Sequence, residues 1–320
     1  MALHLVDKVA EFLTNNPNQK FTAREIAQWI YDTYPNECKV KQKNSKALKM
    51  PLDTPEALIQ QLIKEIGARR HPIEQQDIKL TEGRPRKYYF THDSETAEVT
   101  EAETLTIPIT IQNNKSTTPT GEHALYPLLA DYLTQEFGIY SKRIDEKRSS
   151  NKRGPNGNKW LYPDLVAMEN LSKDRNQEIK NCVKEYFDKK TRLWSFEVKI
   201  LINSSNVREV FFQTVSNSSW ANFAYLVTNE INSDALKEIR ILSGVHGIGL
   251  IVLNIKNGDD ISESQVLIPA REKSDVDWNS ANRLAEENKD FLEFIKQVRH
   301  FYQTGDIIKN NWFKEQILFD

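Results

Sequence analysis

From about Thr118 onward the chain alternates short apolar runs with segments of helical period, and this pattern narrows the possible folds more than any other feature. Residues 165–168, 193–201, 223–228 and 247–255 are apolar or alternating runs of strand length. Between them, 207–215 and 234–242 repeat apolar residues every three or four positions, as a half-buried helix does. Leu125, Leu128, Leu129, Tyr132 and Leu133 mark a further helix ahead of the first strand, and Pro127 must either kink it or mark its true start. Residues 280–301 read as one long amphipathic helix near the end. Strands that alternate with helices predict an α/β fold, a sheet covered by helices on both sides.

The first 92 residues follow another pattern. Leu5, Val6, Val9, Ala10 and Leu13 recur at helical spacing, and the stretch 15–18, Asn-Asn-Pro-Asn, stops that helix. Thr22 is a good N-cap, with Glu25 completing a capping box and Ile26, Trp29 and Ile30 facing inward. Thr54 and Pro55 open another helix, with Leu58, Ile59, Leu62, Ile63 and Ile66 as its apolar stripe. Two short strands, 78–80 and 87–90, flank a turn at 82–85. Residues 36–51, which carry five lysines, read as a long link between the second and third helices.

Charge follows the same division. Residues 1–92 hold 15 Lys and Arg against 11 Asp and Glu, 93–120 hold one against five, and the remainder 27 against 29. A weakly basic head, an acidic connector and a near-neutral body predict a domain over 1–92, a linker over 93–117 and a second domain over 118–320, with Thr104 to Ile111 as a candidate strand within the linker.

Several classes of function drop out. The longest apolar stretch is far too short to span a bilayer, so no membrane association is expected. Met1-Ala2-Leu3-His4 lacks the basic start of a secretory signal, and the two cysteines, Cys38 and Cys182, form no CxxC pair. A cytoplasmic setting is expected. There is no phosphate-cradling glycine motif, so no nucleotide cofactor is expected, and the six histidines form no HxxxH or HxH pair for zinc.

The chemistry concentrates at Pro163-Asp164 and Glu197-Val198-Lys199. Residues two apart on a strand share a face, so Glu197 and Lys199 point one way with Ser195, while Trp194, Phe196, Val198 and Ile200 point the other. Asp164 begins the preceding apolar strand, which can pair beside this one. Two carboxylates can hold Mg²⁺ with several waters left on it, and a nearby Lys can orient a water or stabilise charge growing on a phosphate. The same residues also admit plainer readings: an exposed ion pair for Glu197 and Lys199, and a turn residue for Asp164.

PD followed by ExK resembles the signature of the PD-(D/E)XK nucleases, the restriction-endonuclease-like superfamily, over about residues 118–260. The resemblance implies a mixed sheet flanked by helices, Mg²⁺-dependent cleavage of double-stranded DNA (with Mn²⁺ as a possible substitute), and metal ligation by Asp164 and Glu197. Glu122 stands where members often carry a helix acid at the metal, and Gln213 where some branches place a site Gln. The head resembles a winged helix-turn-helix, and 21–27, Phe-Thr-Ala-Arg-Glu-Ile-Ala, is similar to the HARE-type branch of that fold. The combined layout looks like HrgA-type proteins of bacteria, which implies a restriction or defence role. Two alternatives stay open: a DNA-binding regulator or adaptor whose nuclease fold does not cut, and a structure-specific repair nuclease. Double-strand cutting often needs two sites, so a homodimer is compatible with this reading.

Within that resemblance, Gln60, Gln61 and Lys64 on the third helix, Arg69 and Arg70 after it, and Arg84, Arg86 and Lys87 on the hairpin are the expected DNA contacts. Seven Lys and Arg lie between Lys142 and Lys159 against two acids, a basic run expected to meet the phosphate backbone. The family pattern is departed from at 170–191, a charged insertion between the PD and ExK strands whose Ile179, Val183, Tyr186 and Phe187 are spaced as a surface helix.

Overall fold

The computed structural model describes residues 3–45, 52, 54–104, 121–150, 158–186, 188–255 and 263–313. The chain divides into two compact units, Met1–Ser94 and Glu95–Asp320.

The first unit runs α1 (Leu5–Thr14), β1 (Phe21–Thr22), α2 (Ala23–Thr33), α3 (Pro35–Lys43), α4 (Pro55–Ala68), α5 (Arg70–Glu74), β2 (Lys79–Glu82) and β3 (Lys87–Tyr89). Thr22 caps α2 in the expected manner, its hydroxyl taking the Glu25 N–H while the Glu25 carboxylate takes the Thr22 N–H. Thr54 caps α4 through the Ala57 N–H. Leu5, Val9, Leu13, Ile26, Ile30, Leu58, Leu62 and Ile66 fill the core, and the Trp29 ring packs on Phe12 at 4.8 Å. The three strands lie in the antiparallel order β1-β3-β2, with Phe21 and Leu80 both opposite Tyr88. Part of the stretch read as a link is instead helix α3. Only Cys38 of its nine residues is buried, so it carries no apolar stripe, and Pro35 at its first turn is its main signal.

The second unit contains α6 (Glu95–Thr104), α7 (Leu125–Tyr132), β4 (Tyr140–Arg143), β5 (Leu165–Asn170), α8 (Gln177–Glu185), β6 (Thr191–Ile202), α9 (Val207–Asn217), β7 (Phe223–Asn232), α10 (Ser233–His246), β8 (Gly249–Val252), β9 (Gln265–Ile268), α11 (Trp278–Glu287) and α12 (Lys289–Thr304). It is mixed α/β. β4, β5 and β6 pair antiparallel, β6, β7 and β8 run parallel, and β9 returns antiparallel on β8. The parallel pairs are bridged by α9 and α10, as crossovers require. Leu165, Ala167, Trp194, Phe196, Val198, Tyr225 and Val227 pack one face of the sheet against α7. On the other, Val166, Met168 and Leu193 meet Phe291, Phe294 and Phe301 of α12, while Ala224, Leu226 and Leu250 meet α9 and α10.

Several sequence expectations change here. Residues 95–104, read as linker, form α6, which buries Ala102 and whose Glu95 carbonyl accepts the Asn203 side-chain N–H at 2.7 Å. Thr104 ends that helix, and the candidate strand beyond it lies outside the described residues. Pro127 marks a start and not a kink: it is the third residue of α7, where its missing N–H has no intrahelical partner to lose. The long C-terminal helix is two helices. Asn288 breaks it in extended conformation and caps α12, its buried side chain accepting the Asp290 and Phe291 N–H groups. The insertion forms α8, with none of its side chains buried, and leaves β5 and β6 in direct contact from Leu165↔Phe196 to Asn170↔Thr191.

Candidate active site

The β5–β6 register explains why the two halves of the motif meet. Val166 lies opposite Ser195 and Leu165 opposite Phe196, and Asp164 and Glu197 directly flank that last pair on the two neighbouring strands. The Asp164 N–H donates to the Phe196 carbonyl at 3.1 Å, one residue off that register, while on the β4 side its carbonyl accepts the Ile144 N–H at 2.9 Å. The Asp164 carboxylate is then fixed at both oxygens, by the Tyr126 hydroxyl at 2.8 Å and the Val198 N–H at 2.7 Å.

Glu197 is 2% exposed and fully engaged. Oε1 accepts Lys199 Nζ at 3.1 Å and the Gln213 side-chain amide, and Oε2 accepts the Asn217 amide at 2.9 Å. Gln213 and Asn217 stand one turn apart on the buried face of α9. Both also donate to the Lys159 carbonyl at 3.1 Å, and Asn217 reaches the Tyr162 carbonyl at 2.8 Å, so α9 ties Glu197 to the segment leading into Pro163. Lys199 Nζ lies 3.1 Å from Glu122 Oε1 and 3.0 Å from the Val198 carbonyl. Glu122 comes from the short 3₁₀ turn Gly121–Ala124 ahead of α7.

Burial raises the Glu197 carboxyl to about 8, with Asp164 adding to the shift and Lys199 opposing it. Burial raises Glu122 to about 7 against the pull of Lys199. Burial alone would lower the Lys199 ammonium, but Glu197, Glu122 and Asp164 outweigh it and hold the group above its ordinary range. Burial and Asp164 push the Tyr126 phenol far up, so it remains a hydrogen-bond donor.

All five residues named from the sequence, Glu122, Asp164, Glu197, Lys199 and Gln213, line one cavity of about 440 Å³. Among the described residues, however, no three His, Cys, Asp or Glu side chains are arranged to hold a metal ion as they lie. The Lys199 ammonium pairs with Glu122 and Glu197 instead. The donor set nonetheless suits Mg²⁺, which is bound through one or two carboxylates with several waters retained. Gln213, which lines the cavity, also has a buried amide oxygen with no hydrogen-bond partner among the described residues.

Two further residues, Asn217 and Tyr126, join those five at the site. Asn217 was findable as the residue four beyond Gln213, whereas the Tyr126 contact spans 38 positions and leaves no local pattern. Arg143 was grouped with the basic run, although it belongs to β4: its guanidinium stands over the Tyr126 ring at 5.1 Å and donates to His123 Nδ1 at 2.9 Å.

Within the first unit, most of the expected DNA contacts are already paired. Gln60 donates to Glu56 and Gln61 to Glu65. Arg69 lies 3.5 Å from Glu65, and Arg70 and Arg86 both bind Glu82, at 2.5 and 2.8 Å. Lys64 and Arg84 are exposed, and Lys87 is half-buried on β3.

No family model matches the chain, and no curated protein matches it. A solved structure, a protein of unknown function from Silicibacter pomeroyi, aligns at 11% identity over 59% of this chain and 98% of its own length, with a TM-score of 0.27. A likeness at that level carries no argument. Among the described residues no helix is long and apolar enough to cross a membrane.

Proposed function

We propose that this chain is a Mg²⁺-dependent DNA endonuclease of the PD-(D/E)XK, restriction-endonuclease-like type, with a winged helix at its head. The observation that carries the reading is the meeting of Asp164, Glu197 and Lys199 in one cavity at the end of the β5–β6 pair, where the Val198 N–H between Glu197 and Lys199 binds the Asp164 carboxylate. A surface ion pair does not account for a carboxylate 2% exposed that receives three side-chain donors.

Asp164 and Glu197 would hold the ion, with Glu122 beside them. When bound, Mg²⁺ supplies positive charge at the phosphate and makes a water more acidic. The chain's own groups do the rest. Tyr126 and the Val198 N–H keep the Asp164 carboxylate aimed, and Gln213 and Asn217 do so for Glu197. Lys199 carries a full positive charge, which can orient the attacking water or stabilise charge on the phosphate oxygens. Glu122, raised to about 7, can take a proton near neutral pH. Water oxygen bonds to phosphorus, one P–O ester bond breaks, and the products are a phosphate monoester and a free hydroxyl.

In the first unit, the order α1, α2 and α4 followed by the β2–β3 hairpin supports the winged-helix reading, in which α4 would be the helix for the major groove. Double-stranded DNA is the proposed partner, a homodimer the proposed assembly, and bacterial restriction or defence in the cytoplasm the proposed setting. Mn²⁺ is the proposed substitute ion.

One observation favours the rival reading, a DNA-binding regulator or adaptor that does not cut: Lys199 already pairs with Glu122 and Glu197. Incubation of the full chain with plasmid and linear duplex DNA, in Mg²⁺, Mn²⁺ or EDTA, separates the two. Cleavage in either ion and none in EDTA is the expected result. Binding without cleavage in both ions supports the rival.

A further inference from the structure

Lys152 and Arg153 of the basic run between Lys142 and Lys159 lie outside the described residues, and the other five cations sort into two groups. Lys142 pairs with Glu293 at 3.3 Å, Arg148 with Asp290, and Lys159 with Glu209 at 2.7 Å. Arg143 and Lys147 have no carboxylate partner among the described residues, and these two line the same cavity as Asp164 and Glu197.

Arg143 is also held ready. An Arg N–H can only donate, so His123 Nδ1 must be the acceptor of their 2.9 Å contact. The guanidinium stands over the Tyr126 ring, and Tyr126 in turn holds Asp164. The Arg143 Nε is buried and has no hydrogen-bond partner among the described residues. A buried guanidinium nitrogen without an acceptor is costly, and its fork geometry matches the oxygens of a phosphate.

We propose that Arg143, with Lys147 at the rim, forms a phosphate-binding subsite that takes a backbone phosphate of the DNA strand next to the reacting one. The subsite rests on the nuclease reading for the identity of the strand. It makes Arg143 a substrate-binding residue, aligned by His123 and Tyr126, while the paired cations of the same run serve the fold. Glu122, Glu103, Asp145 and Glu146 line the same cavity, so the anion's affinity depends on the carboxylates being neutralised by a cation.

The test uses the full chain and a fluorescent duplex, with Ca²⁺ present to screen the carboxylates, and measures affinity by anisotropy across a salt series. Arg143→Ala is expected to weaken binding about fivefold to tenfold and to reduce the log–log salt slope by about 0.9, the value for one phosphate contact. Arg143→Lys should keep the slope and lose part of the affinity, which separates a lost contact from a misfolded domain. Lys147→Ala should lower the slope, while Lys142→Ala should stay within about twofold of the parent. Equal effects of Arg143→Ala and Lys142→Ala, or an unchanged slope in Arg143→Ala, would overturn the subsite. Tight binding of inorganic phosphate alone would overturn its assignment to the DNA strand. Mg²⁺ cleavage assays on the same variants keep the two readings apart. An Arg143-dependent slope without cleavage leaves the subsite and removes the nuclease, and cleavage with no Arg143 effect does the reverse.

Discussion

At the scale of single residues, the site sets one buried carboxylate, Glu197, and two half-buried ones, Asp164 and Glu122, around one ammonium. Asn217 illustrates the cost of that arrangement. It is 1% exposed and joins Glu197 to two backbone carbonyls. Asn217→Ala leaves those acceptors buried and short of a donor, so urea denaturation should show a loss of about 1–3 kcal/mol. By analogy with the groups that orient metal ligands elsewhere, cleavage should fall about 10- to 100-fold. A variant as stable and as active as the parent would remove Asn217 from the site. Titration gives a second prediction. Glu197 and Glu122 are raised by burial to about 8 and about 7, so without a cation the stability they contribute is complete below the ordinary Glu value. It is lost as pH rises through their folded values. A divalent ion offsets that loss, and the Tm gain on adding Mg²⁺ should be larger at pH 8 than at pH 5. Equal gains at both pH values would contradict the proposed ligands.

At the scale of elements, strand alternation was the most legible part of the chain. The face shared by Glu197 and Lys199 follows from period two, and neither depends on tertiary context to be read. The meeting of Asp164 with Glu197 was only half legible, because the insertion carrying α8 hides the hairpin that joins β5 to β6. Short edge strands β4 and β9, with four residues each, carry too little pattern to announce themselves. α3 and α6 bury one residue apiece, so no stripe marks them. The break between α11 and α12 turns on a single Asn, since the apolar period runs through it with little disturbance. Asn288→Ala should therefore destabilise the second unit by about 0.5–2 kcal/mol, the range for a lost N-cap, and leave DNA cleavage by the folded fraction unchanged. Thermal denaturation and cleavage on the same sample check both halves of that expectation.

At the scale of the molecule, two compact units with separate cores divide the proposed labour: a head that finds DNA and a body that cuts it. The expected DNA contacts of the head narrow once their partners are known. Arg70 and Arg86 are drawn onto Glu82, and Gln60 and Gln61 onto neighbouring glutamates, leaving Lys64 and Arg84 as the best-placed cations. Lys64→Ala with Arg84→Ala should lower the salt slope of DNA binding by about 1.8, two phosphate contacts, while the cleavage rate at saturating DNA stays at the parent value. A fall in that saturated rate would place the head in the chemistry. The body rests on Lys199, the cation that pairs with both Glu122 and Glu197. The decisive measurement is the single-turnover rate of duplex cleavage in Mg²⁺ by the parent and by Lys199→Ala, with DNA affinity measured alongside. A fall of about 100- to 1000-fold in rate at near-parent affinity is the predicted result. Cleavage by Lys199→Ala at the parent rate would contradict the assignment of this site.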